Sequence, residues 1–435
     1  MISKQNFLHL ALLSMLAAPA AAFDLVDAWR AAREFNAEYA AASADLSAGQ
    51  ERRAQGLAGL LPQFNVSYQH TNTMPTTPVS ASPSAAYSYG VSLSMPLFDL
   101  GKMAAYRKGV LASEQADNQW QAKQQQLLAA VVQAYLDVLH AKEALQATAA
   151  SKQLYQLQLK QAQLQLTVGT GTTLDLYEAQ AALDGAEAKE IREQNELAQH
   201  RQRLWRLTGL DASQAQHAGD VLAAPPVEAS LAEWLRRAHA HSPELRAAEQ
   251  ALALAKADVT EKRGLHLPVL ALSAAYNDSR NPASNPLRQR GSSVGVSVTL
   301  PLYAGGGHRS QLREALSRQQ AAQDRLLETQ RQLDEEVSKA WRNLNSSAAL
   351  LRAQQRLLAS SQNKLASTRL GVKVGIRTNL DLLQAEQAVY DAQSGIVGSK
   401  HGYLSAQVVL AQLAGMLDEA ELARINRVIQ SVNER

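Results

Sequence analysis

The sequence predicts an α+β fold built from one unit written twice, each copy holding long helices and a few alternating strands. Three observations carry this. Short motifs recur at a near-constant spacing of 206 residues. Four segments alternate apolar and small polar residues with period two, and two long segments hold an apolar seam at four-three spacing.

The repeat fixes the order of elements. Leu61-Pro62 recurs 206 residues later as Leu267-Pro268, Val168-Gly169 as Val374-Gly375, Leu174-Asp175-Leu176 as Leu380-Asp381-Leu382, and Gly209 as Gly415. Gly90, Pro96, Phe98 and Gly101 recur as Gly295, Pro301, Tyr303 and Gly306 at a shift of 205, so one residue is lost between Pro62 and Gly90. The mature chain therefore divides into residues 24–229 and 230–435. Each half reads as a helix (about Leu25 to Leu60, and Leu231 to Leu265) followed by two strands around a loop. A long helix comes next (about Lys102 to Leu166, and His308 to Leu370), then a Gly/Thr turn and a second long helix (about Leu174 to Leu207, and Leu380 to Leu413).

Before the first half stand Lys4, an apolar run from Phe7 to Ala18, and Pro19-Ala20-Ala21-Ala22. A basic start, a short apolar stretch and small residues at the end make a secretory signal, residues 1–22, with cleavage after Ala22. The run is too short to span a bilayer as a helix, which takes roughly 20 residues. No later stretch is long and apolar enough either, so any membrane crossing must be made by strands.

The strands show two faces. Tyr87, Tyr89, Val91, Leu93, Met95 and Leu97 alternate with Ser88, Gly90, Ser92, Ser94 and Pro96. Val294, Val296, Val298, Leu300 and Leu302 alternate with Gly295, Ser297, Thr299 and Pro301. Partner strands begin at Phe64 and Leu270. Lengths of about nine to eleven residues suit a tilted membrane strand. Ser88, Ser92, Ser94, Ser297 and Thr299 would then face a water-filled lumen, and the Val/Leu/Tyr side would face lipid. A soluble sandwich with one wet face has the same alternation. Four strands cannot close a barrel, and an open edge in lipid leaves backbone groups unpaired, so insertion requires several chains to share one sheet. Loops are expected at Asn72–Ala85 and Asp278–Ser292, with Pro96 and Pro301 ending strands.

The long helices carry a heptad seam at Val337, Trp341, Leu344, Ala348, Leu351, Gln355, Leu358, Gln362 and Leu365. One repeat earlier it reads Val131, Tyr135, Val138, Lys142, Leu145, Ala149, Lys152, Gln156 and Leu159. At 1.5 Å per residue a helix of roughly 65 residues extends about 100 Å.

Composition narrows the function classes. The chain has no cysteine, which excludes disulfides, thiolate metal sites and a lipidated amino-terminal cysteine. Net charge is +3 with no basic block, so nucleic acid is not an expected partner. No zincin or nucleophile-elbow pattern occurs and the ten histidines are scattered, so no catalytic, cofactor or metal site is expected. A soluble periplasmic coiled-coil adaptor would share the signal and the helices but not the two-faced strands.

With these residues laid out, the chain resembles the TolC-type outer-membrane efflux proteins over essentially its whole mature length. The resemblance rests on the doubled unit, Leu61-Pro62-Gln63 and Leu267-Pro268, and the strand exits Met95-Pro96-Leu97-Phe98-Asp99-Leu100-Gly101 and Leu300-Pro301-Leu302-Tyr303-Ala304-Gly305-Gly306. It rests also on the turns Val168-Gly169-Thr170-Gly171-Thr172-Thr173-Leu174-Asp175 and Val374-Gly375-Ile376-Arg377-Thr378-Asn379-Leu380-Asp381. It implies a homotrimer with one twelve-stranded β-barrel, four strands per protomer, continued by a long α-helical coiled-coil barrel into the periplasm. It implies a passive exit duct for secreted proteins or small toxic compounds. A periplasmic adaptor and an inner-membrane ABC or proton-driven transporter would be its partners, with outer-membrane lipid around the barrel.

The family's entrance is narrowed by charged residues after the second turn, which Arg377 and Asp381 match; Asp175 matches the acid of the first half. Gln384 stands where the type member has a further acid, and Val372 where it has an aromatic. Val168, Gly169, Gly171, Val374 and Gly375 would form the tip that meets the adaptor. Asp381 and Asp175 have a second reading as amino-terminal helix caps, compatible with a gate. Arg377, four residues before Asp381, is placed to pair with it or with a neighbouring chain.

Overall fold

The computed structural model describes residues 23–74, 84–215, 229–281 and 285–430. The expected signal segment lies outside the described residues. Two compact units form, and each takes segments from both sequence halves. Among the described residues, one comprises 23–41, 122–215, 229–242 and 332–430; the other comprises 42–74, 84–121, 243–281 and 285–331.

The element order is α1 (Leu25–Phe35), α2 (Ala37–Ala58), β1 (Gln63–Thr73), β2 (Ser84–Phe98), α3 (Leu100–Thr167) and α4 (Thr173–Thr208). The second half gives α5 (Leu231–His241), α6 (Pro243–Gly264), β3 (Val269–Asn281), β4 (Asn285–Thr299), α7 (Gly307–Lys373), α8 (Asn379–Leu413) and α9 (Glu419–Gln430).

Where one helix was expected before each strand pair, two are found. Asn36 and Ser242 interrupt them with extended ψ angles of 115° and 124°. The reasons differ. The Asn36 side chain accepts the Tyr39 N–H at 3.0 Å and so caps α2, whereas Ser242 precedes Pro243, whose ring disfavours a helical neighbour. The last helix, α9, was not anticipated. Its apolar face of Leu422, Ile425 and Ile429 is fully buried, and α1 packs against both α9 and α4 through Leu25, Ala28, Trp29 and Ala32.

The core of the first unit follows the seam in part. Val337, Leu344, Ala348 and Leu351 are buried, as are Val131, Tyr135 and Val138. Beyond these the buried line moves to Ala141, Thr148, Tyr155 and Ala162 in α3 and to Ser361 and Thr368 in α7. Gln156 and Gln362 are exposed. Positions three and four residues on share a helix face, so the chain turns its small or aromatic neighbour inward and leaves the amide in water.

In the second unit the four strands form one antiparallel sheet in the order β1-β2-β3-β4, leaving β1 and β4 as its edges. Strand β4 ends at Thr299, so Leu300 and Leu302, expected on its apolar face, are not strand residues; Pro301 lacks the N–H that would continue the ladder. Pro96 lies inside β2, not at its end, at a register shift between Pro96 and Phe98. Pairing with β1 stops at Ser94, so no partner on that side needs its missing donor. The loop expected at Asp278–Ser292 is mostly strand. β3 continues to Asn281 and β4 begins at Asn285, with Asp278 salt-bridged across the ladder to Arg288 and Arg290. Likewise β1 reaches Thr73 and β2 starts at Ser84, shortening the loop expected from Asn72 to Ala85.

Candidate functional site

Each half of the chain ends its long helix in the same compound turn. In the first, Gly169 has φ 74°. Its N–H donates to Leu166 O at 3.1 Å and Thr170 N–H to Gln165 O at 2.9 Å. In the second, Gly375 has φ 78°, donating to Val372 O at 3.1 Å while Ile376 N–H donates to Gly371 O at 3.0 Å. These are Schellman ends, in which a left-handed glycine lets two orphan carbonyls be satisfied.

A capping box follows at once. Thr172 Oγ1 accepts the Asp175 N–H at 3.1 Å, and Asp175 Oδ2 accepts from Thr172 N–H at 3.0 Å and Oγ1–H at 2.6 Å. Thr378 and Asp381 repeat it at 3.1, 2.9 and 3.0 Å. The cap residues are therefore the threonines. Asp175 and Asp381 are their partners at the third helical position, which corrects their reading as caps. Both carboxyls are held below the usual range. For Asp175 the Thr172 hydroxyl is the chief cause; for Asp381 it is the Thr378 backbone N–H, helped by the Thr378 hydroxyl and Arg377. Arg377 Nη1 lies 3.7 Å from Asp381 Oδ1.

The two turns meet. Asn379 Nδ2 donates to Gln165 Oε1 at 3.2 Å and reaches Asp175 Oδ1 at 3.5 Å. A groove runs beside this contact, lined by Gln158, Ala162, Gln165, Asp175, Leu382 and Leu383. Val168, Val374 and Ile376 are exposed at the turns, at 62%, 67% and 79%. Gln384 is exposed on α8 and makes none of these contacts. Two residues further, Glu386 is buried and bound by Arg369 at 3.1 Å, and burial pushes its carboxyl up. Asn379, Gln165, Thr172, Thr378 and Ile376 were missed from sequence. The doubled Thr-x-x-Asp pattern at Thr172 and Thr378 was the signal available for the threonines.

Register settles which strand residues share a face. Ser88 pairs with Gln69 and Ser279, Ser92 with Asn65 and Ala275, and Ser94 with Gln63 and Ser273. Ser297 pairs with Ala271 and Thr299 with Val269. Opposed residues point the same way, so one face is small and polar. The other collects Phe64, Val66, Val91, Leu93, Val294 and Val296, with Tyr68 stacked on Tyr89 at 5.0 Å. Among the described residues no helix is long and apolar enough to cross a membrane, and no His/Asp/Glu group is arranged to hold a metal.

A doubled helical hairpin with paired tip turns, joined in sequence to a two-faced sheet, defines the class of outer-membrane export channels. The family described as Outer membrane efflux protein matches twice, at residues 28–210 and 234–416. The chain belongs to this family, whose members are non-enzymatic efflux and secretion channels of the outer membrane in tripartite systems.

Among its relatives is the alkaline protease secretion protein AprF of Pseudomonas aeruginosa. It is 33% identical over 95% of this chain and 88% of the relative. The proteases secretion protein PrtF of Dickeya chrysanthemi is 30% identical over 96% of this chain and 94% of the relative. The crystal structure of CusC, at 20% identity, covers 92% of this chain and 95% of its own with a TM-score of 0.80, a likeness of fold.

Proposed function

We propose that three copies of this chain pool their strands into one twelve-stranded barrel and serve as the exit duct for a secreted protein. The observation that carries the assembly is the sheet itself. It has an apolar face, a small polar face and two edges, β1 and β4. In lipid those edges are satisfied only by the edges of other copies. Ser88, Ser92, Ser94, Ser297 and Thr299 then line the lumen, and the Val/Leu/Tyr face meets lipid. Residues 1–22 direct export, and residues 24–229 and 230–435 are the two structural repeats.

The protein cargo is supported by the protease-secretion names of the two relatives at 33% and 30% identity. On this reading the energy comes from an inner-membrane ABC transporter, coupled by a periplasmic adaptor. The exposed tips around Val168, Gly169, Gly171, Val374 and Gly375 are the adaptor's contact. Asp175, Arg377, Asp381 and Gln384 line the periplasmic entrance, where charges near a symmetry axis govern ion passage.

Purified full-length chain reconstituted in planar bilayers tests the duct. A trimer with single-channel conductance is the expected result; a soluble, electrically silent monomer favours a periplasmic adaptor. Deleting the chain's gene should stop export of the protein encoded with its transporter and leave small-compound tolerance unchanged. The opposite pattern discards the protein cargo.

A further inference from the structure

The apolar face of the sheet changes character toward the end where β1 passes into β2 and β3 into β4. Val91 is paired with Val66 and Tyr276. The next row holds Tyr68, Tyr89 and Asp278, and the row beyond it His70, Tyr87 and Arg280. Asp278 is paired in register with Arg290. Arg288 donates to both carboxylate oxygens of Asp278, from Nε to Oδ1 at 2.7 Å and from Nη2 to Oδ2, and Arg290 Nε lies 3.3 Å from Oδ2. The carboxylate is buried beneath, with 9% of its side chain exposed, while the arginines stay 46% and 57% exposed. Arg280 is exposed as well. Three guanidiniums against one carboxylate leave two positive charges on this edge of the face.

A lone exposed ion pair would be unremarked on any surface, but the rows here are directional: Val66 and Val91 beside Tyr276, then two rows in which tyrosines and arginines stand together. Tyrosines collect where hydrocarbon gives way to headgroups, and the arginines share their rows, Arg290 with Tyr68 and Tyr89 and Arg280 with Tyr87, so they lie at headgroup depth. Guanidinium groups bind phosphate oxygens in bidentate fashion. Asp278 holds two of them in a fixed orientation without cancelling the cluster.

We propose that Arg280, Arg288 and Arg290 form a binding site for the phosphate groups of phosphorylated lipid in the outer leaflet, with Asp278 as a positioning residue. The proposal rests on the reading of this face as lipid-facing.

The test uses the full-length protein in detergent and native mass spectrometry, with bisphosphorylated lipid A, its dephosphorylated form and inorganic phosphate as probes. The phosphorylated lipid should be retained about tenfold or more over the dephosphorylated one, the scale of one or two lost charge-assisted contacts. The double variant R280Q/R290Q should bring the two lipids level. Equal retention of both lipids by the unaltered protein overturns the site, and this arm needs no variant to fold. Displacement of the lipid by millimolar inorganic phosphate would show a free-phosphate site and overturn the lipid assignment. Bilayer conductance on the same preparation separates the two readings. Conducting trimers without phosphate preference sink this site alone; silent monomers sink the barrel and the site with it.

Discussion

Gly371 and Arg377 face each other across the second tip turn so closely that a Cβ on the glycine would lie 2.7 Å from Arg377 Cγ. One repeat earlier the roles are exchanged. There the glycine is Gly171, and a Cβ on it would lie 2.9 Å from Gln165 Cβ and 3.1 Å from the Gln165 carbonyl carbon and Leu166 nitrogen. The turn admits one side chain in this space, and the two halves spend it differently. In the second half it is the guanidinium that reaches Asp381.

The consequence differs by variant. Gly371→Ala meets the Arg377 stem, with Ile376 Cγ1 at an ordinary contact distance of 3.6 Å, and gains helix propensity of about 1 kcal/mol, so melting should change little. The arginine must shift, so single-channel cation block should change instead. Gly171→Ala meets backbone, which cannot swing away, and should cost about 1–3 kcal/mol in thermal unfolding. A stability loss for Gly371→Ala equal to that for Gly171→Ala would show that the exchange has no such meaning.

The capping boxes separate structure from charge at the second tip turn. Thr378→Ala removes the cap and should cost about 1 kcal/mol while leaving the carboxylate in place. Asp381→Asn keeps much of the shape and removes the charge. If Asp381 governs ion passage, cation block should fall for the asparagine variant and persist for Thr378→Ala. The sign with pH is fixed. The folded Asp381 carboxyl titrates below its unfolded value, so its contribution is present above about pH 4 and is lost as pH falls through the lower folded value. Cation block should be constant from neutrality to mildly acidic pH. Loss of block already between pH 7 and 6 would contradict this.

The repeat made most of this architecture readable in advance. Spacing located every long helix to within a few residues, because glycine and threonine punctuate both copies at the same places. It misplaced the loop between β3 and β4 because Asp278, Arg288 and Arg290 look like loop residues when read singly, and are strand residues only when paired across the ladder. The break at Asn36 was hidden for a related reason, since asparagine breaks a helix only when its side chain finds the next N–H. The contact of Asn379 with Gln165 spans 214 residues, and no local pattern encodes it.

A buried polar cluster should give the helical unit a pH response. Asp137 accepts from His401 at 2.8 Å and Gln133 at 2.8 Å, with Arg203 at 3.3 Å and His200 at 3.9 Å. The His140 ring lies 4.9 Å from that of His401. Burial, and then the neighbouring His401 charge, hold His140 below its ordinary value; Asp137 is also held down, its bonds to His401 and Gln133 outweighing burial. For His140 the folded state binds its proton less readily than the unfolded chain does. Its contribution is therefore intact above about pH 6.5 and falls as pH drops toward the lower folded value. Melting temperature should decline from pH 7 to 5, and His140→Phe should flatten that decline. An unchanged slope in the variant would remove His140 from the account.

The sheet-bearing unit depends on close helix packing at small residues. A Cβ on Gly109 of α3 would sit 2.5 Å from the Arg52 carbonyl oxygen and 3.5 Å from Gly56 Cα; one on Gly49 would meet Ala116 Cβ at 2.2 Å. The two helices thus approach at residues seven apart on each, Gly49 and Gly56 of α2 against Ala116 and Gly109 of α3. The neighbour at Gly109 is backbone, so accommodation requires the helices to separate along their length. Overpacking of this kind costs about 1–3 kcal/mol, and a β-branched side chain falls at the upper end. Gly109→Val should lower the melting temperature of the assembled protein. Gly185→Val, at a helical glycine with open space around it, serves as the control for lost flexibility alone. Equal losses in the two would mean that the close approach at Gly109 contributes nothing.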